Sequence, residues 1–395
     1  MMRYLRQFEI VSGFTTTGAS ILSDVETLSR GTAFWRCFTH WIGGMGVLVF
    51  IMAVMPLSDS SSMHLMRAES PGPAVGKLVP KVKTTAMILY GIYVVFTVIE
   101  IIALLIAGMP LFDSMTLTFG TVGTGGFGLL NSSIASYSTA VQIIITVFMI
   151  ICSINFTVYY MFLIKRPKEA LMCEEMRYYL LIVFGSALLI AFNIRASFAS
   201  FGKAFQQAIF QVASVISTTG FATADFNLWP EFSRMILVLL MFVGACAGST
   251  GGGFKVSRLI IMVKSVRNEI MSVTHPRSVQ KVHMDGRRIP DNVVKTVLCY
   301  LAGYVVILIV SVLLISLDNF DMTTNFTAVM ATFNNVGPGL NMVGPTGNFG
   351  GFSVLSKLVL MFDMLVGRLE LYPMLVIFAP GLWRIHPHRH VGKVQ

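Results

Sequence analysis

The chain has 395 residues, 55% hydrophobic and 12% charged, with a formal net charge of +10. A soluble globular domain averages roughly 25% charged residues, whereas the apolar residues here come in blocks of membrane-spanning length, about 20 residues each. The balance excludes a soluble domain, and the clustering of Lys and Arg between the apolar blocks excludes a nucleic-acid surface. It predicts an all-α polytopic membrane protein.

In chain order, apolar spans are expected at 32–57, 84–108, 139–164, 178–194, 229–263, 292–317 and 352–380. Residues 1–10, MMRYLRQFEI, are too polar and too short for a signal-peptide core. Shorter half-apolar stretches at 1–20, 110–128, 203–223 and 321–341 end in Gly- and Thr-rich loops. Each is too short to cross a bilayer. A short helix followed by irregular backbone at membrane depth is tolerated only where it is buried in protein or lines a water-filled cavity.

The four loops align without gaps as Thr16-Thr17-Gly18, Thr121-Val122-Gly123, Thr218-Thr219-Gly220 and Asn335-Val336-Gly337, with glycines 105, 97 and 117 residues apart. The repeating unit is span, short helix, Gly loop, span. Four such units predict a pseudo-fourfold arrangement with the loops meeting at an axis. The units are 1–58, 84–165, 174–264 and 291–381. The first is expected to lack its opening helix. Segments 59–83 and 265–290 and the tail 382–395 are expected in the cytoplasm.

Charge fixes the same orientation. The expected inner side carries Arg67, Lys77, Lys81 and Lys83, then Lys165, Arg166, Lys168 and Arg177, then Arg267, Arg287 and Arg288, and in the tail Arg384, Arg389 and Lys393, as the positive-inside rule requires. Cys37, Cys152, Cys173, Cys246 and Cys299 are scattered, with neither metal-ligand spacing nor a disulfide framework.

The loop chemistry points to an ion filter. In potassium channels four TVGYG-type loops supply rings of backbone carbonyls that replace the ion's hydration shell, and glycine admits backbone angles closed to other residues. One such loop is weak evidence; four in register, each after a short helix and before a span, are strong evidence. Farther on, the span at 229–263 holds five glycines between Gly244 and Gly253. Each costs roughly 1 kcal/mol in a helix interior, so Gly248-Ser249-Thr250-Gly251-Gly252-Gly253 reads either as a flexible loop beneath the filter or as a close-packing surface. Arg368 lies inside the last span, where an ionisable residue is rare and functional by default; a local pair with Glu370 is the plainer alternative.

Several stretches together resemble the Trk/Ktr/HKT superfamily of cation transporters, specifically TrkH-type subunits: SGFTTTGAS at 12–20, HWIGGMGVLVF at 40–50, RAESPGP at 67–73, TVGTGGF at 121–127, STTGFATADF at 217–226, AGSTGGG at 247–253 and NNVGPGL at 334–340. The resemblance covers essentially the whole chain, and the extra leading helices of TrkH-type proteins are expected to be absent from it. It implies potassium as the conducted ion, no other cofactor, a homodimer with one pore per protomer in the cell inner membrane, and a cytosolic nucleotide-binding regulatory subunit of the TrkA type. It also implies that the 248–253 loop is an intramembrane gate, held by Arg368 or closed to cations by its charge. In the family a Ser at the first filter Gly goes with sodium preference; Gly18 therefore favours potassium.

A sodium- or proton-coupled transporter is the alternative, carried by Glu100 and Asp363, the acidic residues placed well inside spans. Coupled carriers typically use inverted repeats, whereas these four units run in one direction. An intramembrane enzyme lacks paired acid, base or metal ligands. Gly123–Gly128 matches G-x-G-x-x-G, but no acidic residue follows before Lys165. Phe254 breaks the P-loop spacing of Gly248–Lys255. Asp225, Glu231, Asp318 and Asp321 lie by the loops, either drawing cations to the mouth or simply solvated. His386, His388 and His390 read as a solvated tail.

Overall fold

The computed structural model describes residues 2–46, 82–275 and 280–377. Most of the expected 59–83 loop, with Arg67, Lys77 and Lys81, the RAESPGP stretch and the tail 382–395 lie outside the described residues.

The chain is mostly helical. In order run α1 (Met2–Phe14), α2 (Arg30–Gly44), α3 (Val82–Ile106), α4 (Leu111–Val122), α5 (Thr139–Cys152), α6 (Phe156–Leu163), α7 (Pro167–Met172) and α8 (Glu174–Ile194). Then come α9 (Phe201–Ile216), α10 (Glu231–Val243), α11 (Val256–Thr274), α12 (Asp291–Ile315), α13 (Met322–Phe333), α14 (Val354–Leu369) and α15 (Leu371–Ile377). Polar caps set many starts: Ser29, Ser138, Ser200, Asp321 and Ser353 each accept a backbone N–H of the first turn, occupying donors with no partner inside the helix.

Among the described residues, three helices are long and apolar enough to cross a membrane: Thr84–Ile106, Glu174–Ser197 and Asp291–Asp318. They turn residues such as Val98, Ile102, Leu181, Phe192, Val306 and Leu313 outward. An apolar exterior of this kind suits hydrocarbon, not water.

The expected span 139–164 is not one helix. It is α5 and α6, bent by 88° at a short break. Asn155 caps α6 by accepting from Thr157 N at 2.9 Å, and the carbonyls freed at the break are taken up from elsewhere: Ser153 O accepts from Cys246 N at 3.0 Å and Cys152 O from Thr250 Oγ1 at 3.1 Å. The expected span 352–380 likewise turns at Glu370, φ 66°, between α14 and α15.

The short helices α1, α4, α9 and α13 occupy equivalent places. Each packs on the helix that follows its loop, α2, α5, α10 and α14 in turn. Each also packs on the corresponding helix of the unit before it: α4 on α2, α9 on α5, α13 on α10, and α1 on α14. The last pairing closes the cycle. A small hairpin, β1 (His283–Met284) with β2 (Arg287–Arg288), turns through Asp285 and Gly286 at positive φ and docks on α8 and α11. There Glu174 N donates to Asp285 Oδ1 and Lys264 Nζ to His283 O, both at 2.7 Å.

Candidate functional site

Each short helix runs straight into its loop, so the carbonyl end of the helix, the negative end of its dipole, adjoins the loop. The four loops leave their helices by one hydrogen-bond scheme. In the first, Thr15 N donates to Val11 O, Thr16 N to Gly13 O and Thr17 N to Ser12 O. The same three bonds are made by Gly123, Thr124 and Gly125, by Ser217, Thr218 and Thr219, and by Asn334, Asn335 and Val336. The middle residue of each set is left-handed: Thr16 φ 53°, Thr124 φ 52°, Thr218 φ 59°, Asn335 φ 54°. Two residues later comes a left-handed glycine: Gly18 φ 77°, Gly126 φ 81°, Gly220 φ 83°, Gly337 φ 97°. A threonine at positive φ is a strained outlier, costing on the order of 1–3 kcal/mol, and persists only where its surroundings over-determine it.

This scheme corrects the expected alignment at the second loop. Thr121 and Val122 are not in it; they complete α4, and Thr121 Oγ1 donates back to Leu117 O at 2.9 Å. Gly123 caps the helix with φ −75°. The residues in register with Thr16-Thr17-Gly18 are Thr124-Gly125-Gly126. The T-V-G string lies three residues ahead of the register that the second loop shares with the other three. The telling signal is the Gly-Phe pair, shared by Gly126-Phe127 and Gly220-Phe221. The other three expected triplets stand in register.

The loops touch in a closed cycle. A Cβ on Gly18 would come within 3.0 Å of Gly125 O, one on Gly126 within 3.0 Å of Thr219 O, one on Gly220 of Val336 O, and one on Gly337 of Thr17 O. Real Cβ atoms essentially never come so close. All four glycines line one open cavity of about 150 Å³, together with Arg36 and Asn131.

Beneath the loops lies the irregular segment 244–255 between α10 and α11, whose Gly244, Gly248, Gly253 and Lys255 all have positive φ. Gly251 and Gly252 abut Ser217 O and Asn334 O, the roots of loops three and four, and Gly252 N donates to Thr218 Oγ1 at 2.6 Å. Arg368 reaches this segment from α14. Its Nη1 donates to Thr250 O at 2.7 Å, and its Nη2 donates to Gly44 O at 2.7 Å and to Gly43 O. The local partner considered for it is engaged elsewhere: Glu370 pairs with Arg258, whose guanidinium lies 3.9 Å over the Tyr300 ring.

Residues 3–385 match the family described as TrkH, cation transport protein. The chain is 36% identical over 385 residues to the Trk system potassium uptake protein TrkH of Salmonella typhimurium, spanning 95% of this chain and 79% of that one. It is 32% identical over 381 residues to TrkG of Escherichia coli, spanning 95% and 78%. The crystal structure of the potassium transporter TrkH from Vibrio parahaemolyticus matches with a TM-score of 0.85 at 32% identity, over 96% of this chain and 79% of that one. The chain belongs to the TrkH family of cation transport proteins.

For a TrkH-family chain the informative residues extend beyond those singled out from sequence. Glu175, buried at the start of α8, ties the 244–255 segment to the first turn of α11: one carboxylate oxygen accepts from Ala247 N at 2.7 Å and from Ser257 N at 3.1 Å. Lys255, also buried, donates its Nζ to Gly251 O within the segment. His40 Nδ1 bonds Gly13 O at 2.9 Å, and its ring lies 4.2 Å from that of Phe127. The outer acids act locally. Asp225 accepts from Asn227 N, Asp318 from Ser353 N, and Glu231 pairs with Arg234. Asp321 caps α13, and its bonds from Thr324 hold its carboxyl below the usual carboxylate range. Glu100 is fully buried and both its carboxylate oxygens lack a hydrogen-bond partner; Asp363 takes one from Ser311 Oγ at 2.7 Å.

Removing the Glu175 carboxylate strands two buried N–H groups, at about 1–3 kcal/mol each. Glu175→Ala is therefore expected to speed amide exchange across 245–257 about tenfold or more, with the α1, α4, α9 and α13 amides unaffected. Unchanged protection in that segment would remove Glu175 from its anchoring.

Proposed function

We propose that the chain takes up potassium across the cell inner membrane, the ion passing through the ring of the four loops. The carrying observation is the cyclic contact of Gly18, Gly126, Gly220 and Gly337 with the carbonyls of the neighbouring loops. A ring of backbone oxygens held at fixed radius is what an ion needs in exchange for its hydration shell. The filter residues on this reading are Thr16-Thr17-Gly18, Thr124-Gly125-Gly126, Thr218-Thr219-Gly220 and Asn335-Val336-Gly337, arranged as a pseudo-fourfold set of helix, loop and helix. The names of the relatives, potassium uptake proteins of the Trk system, support the choice of ion.

The 244–255 segment serves as the gate, with Gly248, Ser249, Thr250, Gly251, Gly252 and Gly253 below the filter and Arg368 fastening it to α2 and α14. The positive-inside charge pattern puts α7, the β1–β2 hairpin and the ends of α11 and α12 in the cytoplasm. Assembly as a homodimer, and control by a nucleotide-binding cytosolic subunit, complete the reading and rest on the family resemblance.

Expression in a cell deficient in potassium uptake is expected to restore growth at low potassium and to give rubidium uptake well above sodium uptake. Equal rubidium and sodium fluxes would sink the selectivity claim, and no uptake of either would sink conduction. The proton-coupled alternative rests on the unpartnered carboxylate of Glu100; it requires Glu100→Gln to abolish the dependence of uptake on an imposed proton gradient.

A further inference from the structure

Irregular loops have no ladder of their own, so something must fix the limb by which each one leaves the ring. In three of the four loops that limb is caught in the same place, at the N–H of the third residue past the ring glycine, by a side chain from the loop's own short helix. Thr327 Oγ1 accepts from Leu340 N at 2.9 Å. Gln211, nine residues before Gly220, turns its side-chain amide to the same place; with the amide set so that its oxygen faces the loop, it accepts from Thr223 N at 2.9 Å and Ala224 N at 3.2 Å. Glu9, nine residues before Gly18, accepts from Ile21 N at 2.8 Å and from Ser20 Oγ at 2.7 Å.

Glu9 differs from the other two in being charged and in continuing outward. Its second oxygen takes Arg36 Nε at 2.9 Å, in a pair whose side chains are 14% and 9% exposed. The Arg36 guanidinium then lies 3.4 Å from the centre of the Phe127 ring. Phe127 directly follows Gly126 in the second loop, and its carbonyl accepts from Cys37 Sγ at 3.5 Å. One half-buried chain of contacts thus runs from loop one through Glu9 and Arg36 to loop two. Burial shields it from solvent, so the charge-assisted bond and the cation–π contact keep their strength.

We propose that Glu9 is a specificity-determining positioning residue. With Arg36 it braces loop one against loop two, Gln211 braces loop three, and together they keep the ring at the spacing that favours potassium over sodium. The proposal rests on the reading of the loops as the ion path. Glu9 does not touch the ion; it acts through Ile21, Ser20 and Phe127. Its loss therefore changes the ratio of ions admitted, a quantity that a purely structural role would leave alone while total uptake fell.

The test is paired sodium and rubidium uptake in cells lacking their own potassium uptake, normalised to the amount of chain in the membrane. Glu9→Ala is expected to raise the sodium-to-rubidium ratio about tenfold, the scale of one lost charge-assisted bond. Gln211→Ala moves it the same way. Glu9→Gln keeps one acceptor for Ile21 N and Ser20 Oγ but turns an NH2 to Arg36 Nε, so it is expected to raise the ratio by about threefold, less than Glu9→Ala. A Glu9→Ala chain present in the membrane with the wild-type ratio overturns the brace and leaves conduction standing. A wild-type chain that takes up neither ion overturns the ion path, and the brace with it. If Glu9→Ala does not reach the membrane, Ser20→Ala removes one donor to the same carboxylate and leaves the ion pair intact. It is expected to raise the ratio about threefold, and an unchanged ratio then overturns the proposal.

Discussion

Replacing Gly126 by alanine is expected to cut rubidium uptake by about a hundredfold or more, with the chain still inserted in the membrane. The position is left-handed, φ 81°, a conformation that costs an L-residue roughly 1 kcal/mol or more. The steric cost is greater. The added Cβ falls within 3.0 Å of Thr219 O, a backbone atom that cannot rotate out of the way. Either loop two or loop three must move, and both belong to the ring. A loss of about 2.7 kcal/mol corresponds to a hundredfold, well within reach of a displaced backbone at that site. Gly185→Ala, on α8 with nothing within 4 Å of the new atom, is the matched control and is expected to transport normally. Selective uptake at wild-type level by Gly126→Ala would return the second loop to the register of Gly123.

Arg368→Ala is expected to act in the opposite direction, raising uptake measured without any regulatory subunit by about tenfold or more. The guanidinium joins Thr250 O of the 244–255 segment to Gly43 O and Gly44 O at the end of α2. Hydrogen bonds from a charged donor contribute about 1.5–3 kcal/mol each, and each 1.4 kcal/mol lost from the closed arrangement shifts its population about tenfold. Lysine cannot replace the fork, because a single ammonium lacks the planar set of donors that reaches the end of α2 and the 244–255 segment at once. Arg368→Lys is therefore expected to fall between alanine and wild type. Flux through Arg368→Ala at the wild-type level would detach Arg368 from gating.

The sequence made the apolar spans, the short helices and the Gly-rich loops visible because each is a property of local composition. Hydropathy marks lipid-facing helices such as Thr84–Ile106 directly, and five glycines in ten residues announce the break after Val243. What stayed hidden depends on contacts between distant segments. The break between α5 and α6 falls at Ser153–Asn155 in an otherwise apolar run; its carbonyls are satisfied by Cys246 and Thr250, nearly a hundred residues away. The register of loop two is decided by where α4 stops, and a helix end cannot be located from a T-V-G string that is itself helical. Glu9 and Glu175 look like ordinary surface carboxylates near helix ends until folding brings Ile21, Arg36, Ala247 and Ser257 to them. Arg368 was legible as unusual, but its partners were not, because they sit more than a hundred residues upstream.

The four loops are equivalent in backbone and unequal in side chains, and that inequality carries a consequence for charge. A ring assembled from four copies of one chain repeats every side chain four times, so a guanidinium beneath the loops would appear as four guanidinia facing one another. A ring closed within a single chain can place one there. Among the described residues, the guanidinium bonded to Thr250 O comes from α14. The corresponding stretches of the other units present Gly43 and Gly44, Ser153, and the glycines of 244–253. One such group can be moved aside by shifting one helix, whereas four would have to move together. On the proposed reading of 244–255 as a gate, the covalent linking of the quadrants would let a shift of α14 alone raise or lower an electrostatic barrier.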